Sequence, residues 1–153
     1  SYRHYPDHPH YIGKNGSVKN SVIAEGCEIY GTVSNSVLFS GVIVEKGAVI
    51  KDSVVMSNTY VGEGASINYS IIDSSVVIGS NGKVGAKREE GVDLTVLGSG
   101  VKVKEGAVIK SGEIIEKDTE MPELDELLMN RLSSILNTTE TKQEKLIERE
   151  AVE

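Results

Sequence analysis

Residues 18–23 (VKNSVI), 33–38 (VSNSVL), 50–55 (IKDSVV) and 67–72 (INYSII) are four versions of one hexapeptide, set at offsets of 15, 17 and 17. Each reads apolar, two mostly polar residues, Ser, then two apolar residues. Fixed-period self-similarity of this kind changes the fold that a sequence specifies, so the period has to be followed along the whole chain. Aliphatic anchors continue it in both directions: Ile12, Val18, Ile23, Ile29, Val33, Leu38, Val44, Ile50, Val55, Val61, Ile67, Ile72, Ile78 and Val84. After a gap they resume at Leu97, Val103, Ile109 and Ile115, in steps of 6. Three anchors carry the same tail of small or charged residues ending in Gly-Ala: Val44 (VEKGAV), Val61 (VGEGAS) and Val103 (VKEGAV).

A period near 6 matches neither strand alternation at 2 nor the helical 3.6. It matches a three-sided coil. One short strand places an aliphatic inward, a tight corner follows, and three such sides close one turn. Gly and Asn tolerate the positive φ that tight corners demand. Stacked coils pair each strand with its equivalent about 4.8 Å away, so 18 anchors predict six coils and a column roughly 29 Å tall. The fold predicted over residues 12–115 is an all-β parallel β-helix of hexapeptide repeats, with Val44, Ile50, Val55, Val61, Ile67 and Ile72 inside.

Val and Ile supply this narrow core, since the chain has no Trp and one Phe, Phe39. The single cysteine, Cys27, follows Gly26 and has no histidine near it in sequence. It reads as a small core residue that cannot form an intramolecular disulfide, which suits a reducing compartment. With no signal peptide and no apolar run near 18 residues, a soluble cytoplasmic protein is expected. The net charge of −7 is uneven: residues 1–115 hold 12 acidic and 11 basic side chains, residues 116–153 hold 11 and 5. A nearly neutral column has no basic stripe for nucleic acid or anionic membrane, so neither is an expected partner.

Three segments depart from the period. Residues 1–11, with two of the three prolines and all three histidines, read as an extended lead-in from a longer polypeptide. His4, His8 and His10 lack zinc-type spacing and predict no metal site. Residues 85–95 (GAKREEGVDLT) are a corner insertion between Val84 and Leu97, carrying Lys87-Arg88 beside Glu89-Glu90. Loops leaving a repeat column are preferred contact sites, which makes Lys87 and Arg88 the candidate effector-binding residues. Residues 116–153 form an acidic tail whose period turns helical. Met121, Leu124, Leu127, Leu128, Leu132 and Ile135 recur mostly at 3 and 4, after a capping Asp118 or Thr119 and Pro122. An amphipathic helix over 119–136, covering the column's end or meeting another chain, is expected.

The acyltransferases built on such coils use a histidine as general base, and a zinc hydratase of this fold needs several histidine ligands. No histidine occurs after His10. No phosphate loop of the GxxxxGK[ST] type or nucleophile elbow is present either. The repeated serines therefore read as corner residues, and the chain alone is expected to catalyse nothing.

Several segments carry a family resemblance: the entry Pro9-His10-Tyr11-Ile12, the short coil at Gly31-Thr32-Val33, Ser36-Val37-Leu38, the stretch DSVVM at 52–56, and the re-entry Leu94-Thr95-Val96-Leu97. Over about residues 9–115 the chain resembles the C-terminal β-helix of bacterial ADP-glucose pyrophosphorylases (glucose-1-phosphate adenylyltransferases) and of their regulatory paralogue. The resemblance implies a left-handed coil and a preceding nucleotidyltransferase domain. That domain joins glucose 1-phosphate and ATP, with Mg²⁺, into ADP-glucose for glycogen synthesis. It also implies that the β-helix contributes subunit contacts in a homo- or hetero-oligomer, a tetramer in the family. An anionic sugar-phosphate effector site beside the chain's own catalytic domain is implied as well. No cofactor is expected within this chain; Mg²⁺ and ATP would belong to the catalytic domain. The alternative is a stand-alone hexapeptide-repeat scaffold or an acyltransferase-like protein.

Overall fold

A computed structural model describes residues 9–117. Eighteen strands of two or three residues form three parallel sheets of six strands, one strand per sheet in each coil. The first face stacks Tyr11–Ile12, Glu28–Ile29, Ile43–Val44, Tyr60–Val61, Val77–Ile78 and Lys102–Val103. The second stacks Ser17–Lys19, Thr32–Ser34, Val49–Lys51, Ser66–Asn68, Lys83–Gly85 and Val108–Ile109. The third stacks Val22–Ile23, Val37–Leu38, Val54–Val55, Ser70–Ile72, Thr95–Leu97 and Ile114–Ile115. This is the three-sided, six-coil parallel solenoid that the anchor spacing predicts.

The register pairs anchor with anchor. Val18 lies beside Val33, Val33 beside Ile50, Ile50 beside Ile67 and Ile67 beside Val84. Period-2 alternation then turns the neighbours of each anchor outward. The six anchors named above are fully buried, and Ile29, Val33, Leu38, Ile78, Val84 and Leu97 join them. Burying each such side chain contributes roughly 1.5–3 kcal/mol. Anchors of the terminal coils lack a coil on one side, so Ile12 is 41% exposed and Val18, Ile23, Ile109 and Ile115 are half-buried.

Corners are set by residues with positive φ, stacked in register. Between the second and third faces these are Asn20, Asn35, Asp52 and Tyr69, at φ of 50°, 47°, 50° and 47°, while Gly85, at φ 76°, lies one position earlier, level with Asn68. Asn and Asp reach this region because their short polar side chains bond locally; Tyr69 has no such device and is held there by the coils on either side. The short second coil depends on Gly31, where a Cβ would lie 2.3 Å from the Ala48 carbonyl oxygen.

Two boundaries differ from the sequence reading. Tyr11, assigned there to the lead-in, opens the first strand, and Gly85 ends one strand while Thr95 begins the next, leaving residues 86–94 as the insertion. Beyond Lys117, the expected helical tail lies outside the described residues, as do His4 and His8. Among the described residues no helix is long and apolar enough to cross a membrane.

Candidate functional site

The repeated serine explains how the corner before the third face is built. In each of the first four coils its Oγ donates to the carbonyl two residues back: Ser21 to Lys19 at 2.9 Å, Ser36 to Ser34 at 2.8 Å, Ser53 to Lys51 at 2.7 Å and Ser70 to Asn68 at 2.8 Å. The same oxygen accepts the backbone N–H of the serine one coil on. Ser36 N–H donates to Ser21 at 3.0 Å, Ser53 to Ser36 at 3.1 Å and Ser70 to Ser53 at 3.1 Å. Each hydroxyl thus satisfies a backbone donor that the corner removes from the sheet ladder. After the insertion Thr95 takes the position, accepting from Gly112 N–H at 3.1 Å. The serines are structural, as the missing base implied, but their hydrogen-bonded continuity was not visible in the sequence.

Outside this ladder runs a second one. The Asn20 amide donates to Asn35, and the Asn35 amide to the Asp52 carboxylate at 3.4 Å. Tyr69 occupies the next level, and the Arg88 guanidinium lies 5.6 Å from its ring centroid, in cation–π range. The insertion therefore brings Arg88 back along the corner toward the earlier coils. The result is a groove of about 810 Å³. Its lining takes in the Asn20, Asn35 and Asp52 row, Val22, Val37 and Val54 of the third face, the serines between them, and Arg88.

Of the two sequence-predicted residues, Arg88 lines this groove and Lys87 is exposed outside its lining. Asn20, Asn35, Asp52 and Tyr69 were not singled out from the sequence. Their one signal was recurrence at the third position of each hexapeptide. Chemically the groove offers one guanidinium, whose planar fork suits phosphate or carboxylate, and amide and carboxylate groups that exchange hydrogen bonds with hydroxyls. Asp52 disfavours an anion at its own level, so an anionic group belongs at the Arg88 end.

The remaining polar chemistry is local. Tyr30 and Tyr60 hydroxyls donate to Glu28 and Glu45 at 2.8 Å, and these bonds to carboxylates raise both phenol pKa values. Burial pushes the Cys27 thiol above its ordinary value while its Sγ donates to the Phe39 carbonyl at 3.0 Å. No group of three or more His, Cys, Asp or Glu side chains able to hold a metal ion occurs among the described residues.

The GlmU-like C-terminal hexapeptide family model matches residues 9–94, more than half of the chain. The chain belongs to that family. Among relatives it is similar to the glucose-1-phosphate adenylyltransferase of Acetivibrio thermocellus, 68% identical over 41 residues, covering 27% of this chain and 10% of the relative. The enzyme of the same name from Desulfitobacterium hafniense is 34% identical over 116 residues, 72% of this chain and 29% of the relative. That from Thermosipho africanus is 60% identical over 43 residues, 28% of this chain and 10% of the relative. The chain thus matches about a tenth to three tenths of the length of these larger proteins.

Proposed function

We propose that this hexapeptide column is the C-terminal β-helix of a glucose-1-phosphate adenylyltransferase or of its regulatory paralogue. In this reading it assembles subunits and carries part of an effector site, and the polypeptide's own catalytic domain makes ADP-glucose. The observation that carries the reading is the 116-residue match to an adenylyltransferase of which it covers only 29%. Glucose 1-phosphate, ATP and Mg²⁺ would be handled by the remainder. The left-handed winding and the cytoplasmic location expected from the sequence belong to the same reading.

The corner groove supports the regulatory half. A sugar phosphate presents an anion at one end and hydroxyls along its length. Arg88 matches the first, the Asn20, Asn35 and Asp52 row the second, and Lys87 lends local positive charge.

The test uses the polypeptide carrying both this chain and its catalytic domain. It should form ADP-glucose from glucose 1-phosphate and ATP with Mg²⁺, whereas residues 1–153 alone should form none. With fructose 1,6-bisphosphate as the probe effector, Lys87→Ala/Arg88→Ala should raise the half-effect concentration at least about tenfold, the loss of one charge-assisted contact. An unchanged titration would remove the groove from the effector response. Absence of ADP-glucose synthesis would remove the transferase reading itself.

A further inference from the structure

Two Asn-Gly dipeptides lie in the described column, Asn15-Gly16 and Asn81-Gly82. Both occupy the corner between the first and second faces, and both asparagines are exposed. Asn-Gly is the dipeptide most open to self-reaction, because glycine has no Cβ to screen its backbone nitrogen from the asparagine side chain. In the closed corner that nitrogen is engaged: Gly16 N–H donates to the Gly13 carbonyl at 2.9 Å, Gly82 N–H to the Gly79 carbonyl at 3.0 Å. Reaction therefore waits on a local opening, and the cost of that opening decides which asparagine reacts.

The neighbouring coils set the cost. At this corner each regular coil is tied at its tip to the coil before it. Gly64 N–H donates to the Lys46 carbonyl at 3.1 Å, Asn81 N–H to Glu63 at 2.9 Å and Gly106 N–H to Ser80 at 2.9 Å. The corner of Asn81 is thus bonded from both sides. Its side-chain oxygen also fills the space that a Cβ on Gly64 would need.

Asn15 has neither support. Among the described residues no coil precedes it. On its other side lies the short coil, which passes from Ile29 to Val33 in four steps where Ile12 to Val18 takes six. The two missing residues are the tip of the corner. Gly13 N–H still donates to Ile29 at 2.8 Å and Ser17 N–H to Gly31 at 2.9 Å, but among the described residues no backbone N–H reaches the Lys14 carbonyl between them. What remains is a cleft of about 350 Å³ lined by Lys14, Asn15, Tyr30, Glu45 and Lys46. The corner holding Asn15 is closed by its own turn bond and by nothing at its tip.

We infer that Asn15 is a site of covalent modification by deamidation, and that the fold protects Asn81 from the same reaction. In the opened corner the Gly16 nitrogen attacks Asn15 Cγ. The new N–Cγ bond closes a five-membered succinimide, the Cγ–Nδ2 bond breaks, and ammonia leaves with the proton that Gly16 gives up. Water then opens the ring at either carbonyl. One opening leaves an aspartate at position 15, the other an isoaspartate whose main chain is longer by one methylene. Either product places a new carboxylate in the cleft that Lys14 and Lys46 line, where positive charge favours it. The site is independent of the transferase assignment and holds whichever polypeptide carries the column.

Peptide mapping by mass spectrometry of the full 153-residue chain, sampled over time at physiological pH and temperature, tests this. Methylation by an isoaspartate carboxyl methyltransferase, with labelled S-adenosylmethionine, identifies the second product. Position 15 should convert at least about tenfold faster than position 81, the ratio set by opening a corner held on both sides. In guanidinium chloride the two rates should fall within about threefold of each other, because the unfolded chain no longer distinguishes the two dipeptides. Asn15→Gly gives this corner the residue that Gly47, Gly64 and Gly106 supply at equivalent places, and should fold and accumulate no isoaspartate there. A folded-chain ratio below about tenfold, a denatured-chain ratio above about threefold, or an Asn15 still intact when the unfolded chain has converted there overturns the inference.

Discussion

Replacing Ser53 by Ala removes one oxygen from the middle of the corner ladder, and the structure says which group suffers. The Lys51 carbonyl that loses the serine hydroxyl still accepts from Tyr69 N–H at 3.0 Å. Ser70 N–H, which donates to Ser53 Oγ at 3.1 Å, loses its acceptor in a buried site. Orphaning one buried donor costs about 1–3 kcal/mol. Taking about 2 kcal/mol, and about 5 °C per kcal/mol for a domain near 100 residues, the melting temperature should fall by about 10 °C. Ser53→Thr should recover most of the loss, because Thr95 already fills the equivalent corner after the insertion and accepts a backbone N–H. Ser21→Ala, at the half-buried first coil, should cost less than half as much, since water can reach the freed donor. Calorimetric melts of the four proteins give the comparison. An alanine variant melting within about 2 °C of the unaltered chain, or no difference between Ala and Thr at 53, would refute the ladder as a source of stability.

Three further outcomes follow from the packing of the column. Ile67 is fully buried, so Ile67→Ala should cost about 2–5 kcal/mol, whereas Glu63→Lys at an exposed corner should stay within about 0.5 kcal/mol; equal urea midpoints would contradict the phase of the repeat. Gly31→Ala should abolish folding or cost about 3 kcal/mol or more, because its Cβ would meet the Ala48 and Glu45 carbonyl oxygens at 2.3 and 2.7 Å, while Gly106→Asn, at φ 73° with open space, should melt within a few degrees of the unaltered chain. Cys27, buried and with its thiol pKa raised by that burial, should react with a disulfide reagent on the order of a hundredfold more slowly than a free thiol, and rapid native labelling would contradict that burial. Its raised folded pKa favours the protonated thiol. That contribution is complete below the unfolded pKa and declines as pH rises through the folded value, so alkaline rather than acidic conditions should expose it.

The column was legible because each coil repeats one requirement: an aliphatic such as Ile50 or Ile67 facing an axis too narrow for anything larger. That requirement recurs at nearly fixed spacing, so the sequence carries its phase directly. The groove was legible only in part. Lys87-Arg88 stood out as charge in an insertion, yet the fold-back that sets Arg88 over Tyr69 depends on loop geometry that no period encodes. The Asn20–Asn35–Asp52 row joins residues 15 and 17 apart, and each alone looks like an ordinary corner residue. Tyr69 at φ 47° is the clearest case of context overriding preference, since the coils around it fix a conformation that the residue disfavours alone.

The most direct test of the account exchanges the domain itself. In the Desulfitobacterium hafniense adenylyltransferase, the region matched by this chain is replaced by residues 9–117, and mass and effector response are measured beside the intact enzyme and a truncated one. If this column is an assembly and regulatory β-helix of that family, the exchanged enzyme should regain the oligomeric mass of the intact protein and an effector response that Arg88→Ala weakens. An exchanged enzyme with the mass and response of the truncated one would contradict that claim.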